Sequence, residues 1–357
     1  MRLKFVDLFS GIGGFRSAAQ GAQVPGVHFE PVASSDLDPV CRQFYASAYQ
    51  SQSELSVADI KDIYKGGDDG TIKLPPFDVL FGGFPCQPFA NIGLRGGLAD
   101  PRGTLFFDVV QVINYYQPTF FILENVQKMR NHERGSTLEA IKDFLGEVGY
   151  NVSVWDLCAS NYGLPQQRRR LFFCGVLESA AHAQAVLPPA PVMLQHSEYP
   201  TTWHLLERAM PAEHMIPYQT RKTVLRKNEK WQGDLEIDRK IARPLTATMA
   251  KWHRANQDNY FSASYVNGNF GVSGQKTNVN LECEPIRRIT PLEGFRLQGF
   301  PDEFEQIRRQ QRVSNSASYR LIGNAVPVAM ARAVIEQFIG HHVGTETQAS
   351  GVAREYA

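Results

Sequence analysis

Phe5-Val6-Asp7-Leu8-Phe9-Ser10-Gly11-Ile12-Gly13-Gly14-Phe15 passes from an apolar strand pattern through a glycine cluster into a helical pattern. Glycine in such a turn admits backbone that other residues avoid and lets the main chain approach a ligand closely. The spacing lacks the full Gly-x-Gly-x-x-Gly of dinucleotide sites. By itself it supports a cofactor loop and a plain tight turn about equally. Outward from it, strand and helix patterns alternate. Strands are expected at Leu3–Leu8, Val27–Ser34, Phe77–Phe81, Phe120–Leu123, Val152–Leu157 and Arg170–Val176. Helices are expected at Phe15–Gln20, Pro39–Ala48, Leu105–Tyr115 and Ser136–Val148. Repeated strand–helix units predict an α/β fold, a doubly wound and mainly parallel sheet with ligand sites at the carboxyl ends of its strands.

The pattern changes after about Leu177. Alanine-rich sequence and the prolines Pro188, Pro189 and Pro191 mark a linker, and polar, basic, aromatic sequence without clear periodicity follows to about Cys283. This predicts a second, smaller domain over 179–285. Helical patterns return at Thr290–Leu297 and Val326–Ile339, and the small, polar stretch 341–357 is expected to be a disordered tail.

Hydrophobic residues make up 43% of the 357 and charged residues 20%, as in an ordinary soluble protein. The N-terminal residues reach glycine before any long apolar run, which argues against a signal peptide or membrane span and for a cytoplasmic protein. The five cysteines form no Cys-x-x-Cys pair, so neither a zinc site nor a disulfide framework is expected, only one reactive thiol among structural ones. Net charge is only +1, but from Gln219 to Arg254 ten basic residues face four acidic ones. Such a stretch can lie along phosphates or be a solvated face.

Four further segments carry chemistry. Ser34-Ser35-Asp36-Leu37-Asp38 ends the second strand, where an acid can bond a ribose hydroxyl. Asp59 either caps a helix or reaches a ligand amine. In Phe81-Gly82-Gly83-Phe84-Pro85-Cys86-Gln87-Pro88-Phe89 a thiol follows a buried strand and two glycines, which puts it at the sheet's ligand edge. Glu124, in Phe121-Ile122-Leu123-Glu124-Asn125-Val126, places an acid at the same edge. A thiol with a nearby acid is what attack on a pyrimidine ring requires.

With these residues in place, DLFSGIGG, GGFPCQPFA, DPRGTLFFD, ENV, YGLPQQRRRLFF and LIGNAVPVAMA resemble, in order, the blocks of the bacterial DNA (cytosine-5) methyltransferases of restriction–modification type. The resemblance covers the chain apart from about 180–285 and the tail. It implies a Rossmann-like S-adenosylmethionine-dependent catalytic domain, discontinuous over 1–178 plus 286–340, and an irregular target-recognition domain over 179–285. It implies Cys86 as nucleophile, Glu124 as the acid, Arg168 and Arg170 as grips on a flipped nucleotide, and Asn125 as a support for the Cys86 loop. The implied S-adenosylmethionine pocket, which releases S-adenosylhomocysteine, is lined by Phe9, Gly11, Ile12, Gly14, Asp36, Leu37, Asp59, Ile60, Pro85, Leu105 and Asn324. Leu37 departs from the aromatic residue of many relatives. No metal is implied.

The implied partner is double-stranded DNA, met by a monomer, with any restriction endonuclease a separate protein. Arg95, in the glycine-containing loop Ala90–Arg102, and Arg226, Lys227, Arg239, Lys240, Lys251 and Arg254 are the expected DNA contacts. Arg296, in Gly294–Phe300, reads as structural. Transfer-RNA cytosine is the rival substrate. A catalytically silent DNA-binding module is the rival class, and the presence of both Cys86 and Glu124 argues against it.

Overall fold

The computed structural model describes residues 1–51, 53–64, 72–85, 105–180, 187–194, 199–225, 237–268 and 283–352, with side chains described to 344. Four expected site residues, Cys86, Arg95, Arg226 and Lys227, lie outside the described residues, as does the loop 90–102. The chain divides into two compact units. The first comprises Met1–Leu157, Arg169–Val192 and the chain from Met330, and the second comprises Cys158–Arg168 and Met193–Ala329.

The first unit is built on one sheet of β1 (Arg2–Leu8), β2 (His28–Ser35), β3 (Leu55–Val57), β4 (Val79–Gly82), β5 (Phe120–Val126), β6 (Tyr150–Cys158) and β7 (Arg169–Leu177). Their order is β3-β2-β1-β4-β5-β7-β6. Pairings among β1 to β5 are parallel, and β7 runs antiparallel to β5. Every residue of β4 and the Phe120–Leu123 run of β5 is buried, the continuous apolar pattern of central strands covered on both faces. From β1 the chain proceeds outward through β2 and β3, then returns to place β4 on the other side of β1. The reversal makes a switch point between β1 and β4, where Leu8 registers with Gly82.

Helices α1 (Gly14–Gly21), α2 (Pro39–Tyr49), α3 (Lys61–Tyr64), α4 (Leu105–Tyr116) and α5 (Ser136–Glu147) follow the strands. Asp38 starts α2 by accepting from the Val40 amide at 2.9 Å, with proline next to it fixing φ for the first turn. The C-terminal helix Val328–Val352 runs through much of the stretch expected to be a disordered tail. Val334, Ile335, Phe338 and Ile339 are fully buried on one stripe, and Val343 prolongs it. The Phe338 ring meets Phe120 and Trp155 edge-on, at 6.2 and 5.9 Å between centroids.

The second unit holds a two-stranded antiparallel sheet of β8 (Tyr260–Ser262) and β9 (Ile286–Arg288). Its helices are α6 (Thr202–Leu205), α7 (Tyr218–Val224), α8 (Ala263–Val266), α9 (Pro291–Gln298), α10 (Glu303–Gln310) and α11 (Asn315–Asn324). This division differs from the expected one, because Ile286–Asn324 and Cys158–Arg168 fold with the second unit. The reason is local bonding. β9 pairs with β8, and the fully buried Arg287–Glu293 ion pair (2.6 Å) ties α9 to β9. Glu293 also completes a capping box with Thr290. Arg296 has the structural part expected of it, bonding Asp302 at 2.7 Å and the Leu205 carbonyl at 2.9 Å. Among the described residues no helix is long and apolar enough to cross a membrane.

Candidate active site

The carboxyl end of β1 leads into the glycine turn. Phe9, Gly11 and Gly13 all take left-handed backbone, with φ of 52°, 53° and 86°. The Ser10 amide donates to Ser35 at 2.9 Å, and the Gly11 amide donates to Asp36 Oδ2 at 2.8 Å. Asp36 Oδ1 accepts from the Asp38 amide at 2.9 Å. Burial pushes the Asp36 carboxyl above the usual carboxylate range, and these two amides act against the rise. The expected ribose ligand thus also laces the turn to the end of β2. Each of its oxygens keeps further accepting capacity.

Leu37, next along, is 73% exposed, with nothing in packing to call for an apolar side chain there. Asp59 accepts from the amide of Lys61, the first residue of α3, at 3.0 Å. Ile12 and Ile60 are buried, Leu105 is half-buried at the start of α4, and Pro85 is exposed. Beneath the turn Asp7 is almost wholly buried, and burial raises its pKa to about 8 against the pull of Arg16.

The second constellation sits at the end of β5. Glu124 is 8% exposed, and its Oε1 lies 2.6 Å from Arg170 Nε. Antiparallel register of β5 with β7 sets Glu124 opposite Phe172 and Val126 opposite Arg170, so the arginine reaches diagonally to the acid. Asn125 points the other way, and its Nδ2 donates to the Phe84 carbonyl at 2.9 Å while its Oδ1 accepts from Val126 at 2.8 Å. It thereby holds the backbone two residues before Cys86. Next to Arg170 the exposed Arg169 shares Asp156 with Arg130, at 3.0 and 3.1 Å. The sequence reading passed over this trio, which only strand pairing brings together.

Arg168 has a different place from the one expected. It is 1% exposed in the second unit, and its guanidinium donates to the carbonyls of Leu245, Gly323 and Ala325 at 2.8 to 3.0 Å. Those contacts set its guanidinium on backbone carbonyls of three segments. Asn324 is exposed at the end of α11.

In the same unit a turn at Met249–Ala255 carries Lys251, exposed, and Arg254, half-buried. Trp252 stands there at φ 55°. The Arg288 guanidinium lies 3.0 Å from the Trp252 ring centroid and donates to the carbonyls of Met249 (3.2 Å) and Ala250 (2.9 Å). Tyr260 donates to the His253 carbonyl at 2.5 Å. Lys240 is exposed, and Arg239 is half-buried with Nε on the Ile241 carbonyl at 3.1 Å.

Comparison with known proteins identifies the family. The family model described as C-5 cytosine-specific DNA methylase matches residues 3–340. The Type II methyltransferase M.NlaX of Neisseria lactamica is 32% identical over 340 residues, 94% of this chain and 95% of its own length. M.DsaV of Dactylococcopsis salina, also a Type II methyltransferase, is 31% identical over 347 residues, 97% of this chain and 89% of its own. Among solved structures the Entamoeba histolytica methyltransferase EhMeth matches with a TM-score of 0.69, covering 95% of this chain and 98% of that one. At 16% identity that likeness speaks to the fold alone. A family match running nearly end to end, over a sheet that places Glu124 at its carboxyl edge, makes the chain a member of the C-5 cytosine-specific DNA methylases, a DNA (cytosine-5) methyltransferase.

Proposed function

We propose that the protein transfers a methyl group from S-adenosylmethionine to C5 of a flipped cytosine in a specific short duplex sequence, through a covalent Cys86–C6 adduct. The observation that carries this reading is the Glu124 carboxylate, held by Arg170 at 2.6 Å at the carboxyl end of β5. Asn125 next to it holds the Phe84 carbonyl, which fixes the chain leading into Cys86. Cytosine C5 is too weak a nucleophile to be methylated directly. Addition of the Cys86 thiolate forms a carbon–sulfur bond at C6 and pushes electron density to C5. Glu124, carrying a proton when the base is held, delivers it at N3 as negative charge develops there, while its other oxygen accepts from the exocyclic amine. C5 would then take the methyl group of S-adenosylmethionine as its bond to sulfur breaks. Loss of the C5 proton to a base, with expulsion of the thiolate and return of the N3 proton to Glu124, restores the aromatic ring.

The cofactor suits the residues present. The left-handed turn Phe9–Gly14, the carboxylates of Asp36 and Asp59, and the exposed apolar face of Leu37 would hold it. S-adenosylmethionine bound there supplies an electrophilic methyl group. A base stacked in duplex DNA cannot reach Cys86, so it is flipped out at a cost of a few kcal/mol. The second unit reads the sequence, with Arg239, Lys240, Lys251 and Arg254 as the described basic contacts. The protein acts as a cytoplasmic monomer. Its kinship with Type II methyltransferases supports partnership in function with a separate restriction endonuclease.

The test is transfer of tritiated methyl from S-adenosylmethionine to mixed-sequence plasmid, with transfer RNA in parallel and bisulfite sequencing of products. Wild type should label DNA cytosine within one short motif, and Cys86→Ser should abolish turnover. Label on transfer RNA alone, or none on either despite DNA binding, would overturn the reading.

A further inference from the structure

The glycines let this turn take its shape, and its surroundings complete the hold on it. It contains three left-handed residues, and no side chain within it caps α1. For Phe9, which is not glycine, such backbone persists only where surrounding structure imposes it. On one side Ser35 and Asp36 take the amides of Ser10 and Gly11. On the other side the Gly13 carbonyl accepts the Ser17 amide of α1 at 2.9 Å, and a single side chain from outside the motif, that of Tyr49, the last residue of α2, engages the same carbonyl and that of Ile12. Its hydroxyl donates to the Gly13 carbonyl at 2.7 Å and reaches the Ile12 carbonyl at 3.2 Å. Ser17 Oγ on α1 lies 2.6 Å away. A phenol has one proton, so with Tyr49 donating to backbone, the Ser17 hydroxyl donates to Tyr49.

The ring itself is wedged in place. Tyr45 lies 4.8 Å off between centroids, and the Arg16 guanidinium carbon lies 5.2 Å from the ring centroid. Arg16 is itself buried and paired with Glu54 at 2.9 Å. A Cβ added at Gly13 would fall 2.3 Å from the Tyr49 ring, so this position needs glycine on account of the tyrosine as well as its φ. Burial raises the phenol's pKa, so the hydroxyl keeps its proton and stays a donor.

Because a peptide unit is planar, fixing the Gly13 carbonyl fixes the opposed Gly14 N–H, which opens from the first turn of α1. We propose that Tyr49 is a positioning residue for the S-adenosylmethionine turn. Together with the Ser17 amide it sets the direction of the Gly13–Gly14 peptide by holding its carbonyl. Tyr49 touches the backbone of the turn and acts on the cofactor through it. The inference rests on the reading of this turn as the cofactor loop.

Calorimetric titration of S-adenosylhomocysteine and S-adenosylmethionine into wild type, Tyr49→Phe and Ser17→Ala tests it. Tyr49→Phe keeps the ring and removes only the hydroxyl, and should weaken both ligands about fivefold. Ser17→Ala leaves the Tyr49 proton on Gly13 and should weaken them less. In turnover, KM for S-adenosylmethionine should rise with the dissociation constant, while kcat at saturation moves less and KM for DNA stays put. Thermal melts run alongside separate a positioning role from a packing one. A lowered melting temperature with wild-type ligand affinity would overturn the proposal for Tyr49. Failure of wild type to bind either ligand would overturn the cofactor reading itself.

Discussion

The turn after β1 and the turn at Met249–Ala255 both put a side-chain-bearing aromatic residue into left-handed backbone, Phe9 at φ 52° in the first and Trp252 at 55° in the second. Both are braced from behind by a tyrosine hydroxyl on a turn carbonyl, Tyr49 on Gly13 and Tyr260 on His253. They differ in what else supplies the shape. In the first turn two glycines adopt positive φ without steric cost, so the conformation is written into the motif. In the second there is no glycine, and the shape is imposed from β9 by Arg288, which stacks on Trp252 and takes two carbonyls. One turn is defined by its own residues and trimmed by its surroundings. The other depends on a partner more than thirty residues away.

Gly13→Ala attacks that distinction where the effect should be largest. The added methyl must adopt φ 86° and meets the Tyr49 ring at 2.3 Å. A non-glycine residue in such backbone costs of order 1–3 kcal/mol before the clash is counted. Affinity for S-adenosylhomocysteine should fall by roughly a hundredfold in titration calorimetry, with the far-ultraviolet circular dichroism unchanged. Affinity within twofold of wild type would mean that the turn's shape does not serve the cofactor.

Trp252→Ala is the matching attack on the second turn. It removes the ring under Arg288 and leaves the guanidinium only its carbonyl bonds. A desolvated cation–π contact is worth about 2 kcal/mol or less, so specific duplex binding should weaken by roughly tenfold. Cofactor affinity should not change. Fluorescence anisotropy with the cognate duplex and with a scrambled one gives the measurement. Unaltered DNA affinity would remove the Lys251–Arg254 turn from the DNA contacts.

The same contrast explains what could be read in advance. β4 and β5 were legible because Val79–Gly82 and Phe120–Leu123 are unbroken apolar runs, and the acid at the end of such a run had to lie at the sheet's edge. The helix α9 announced its start through Thr290 and Glu293, a capping pair three residues apart. β3 has only three residues, one of them an exposed serine, and gives no periodicity to see.

Arg168, Arg169 and Arg170 have one identity and three fates: buried on the carbonyls of Leu245, Gly323 and Ala325, exposed beside Asp156, and set on Glu124. No local rule separates them, because each outcome depends on a partner remote in sequence. β9 misleads in the same way, since two consecutive arginines suggest solvent. Arg287 is nevertheless fully buried against Glu293, and Arg288 is 7% exposed beneath Trp252.

Each turn also has a buried carboxyl near it, and here the expected difference is small but has a definite sign. Burial raises Asp7 below the first turn to about 8, and Asp258 close to the second to about 6, each from an ordinary value of 3.8. A carboxyl whose folded pKa lies above its unfolded one keeps a proton that the unfolded chain has lost. Its contribution to stability is therefore complete below about pH 4 and declines as pH rises through the folded value. For Asp7 the decline runs to about pH 8, and for Asp258 it ends near pH 6.

Asparagine at either position cannot titrate, so the gain of each variant over wild type should follow its own window. Melting temperatures at pH 5, 6.5 and 8 should show Asp7→Asn improving on wild type across the whole range, by roughly 5 °C in total. Asp258→Asn should improve only up to the middle value. The offset lost to the asparagine amide itself is the same at every pH and cancels from the comparison. A constant difference for Asp7→Asn would mean that the carboxyl below the glycine turn is ionised in the folded protein, with Arg16 outweighing its burial.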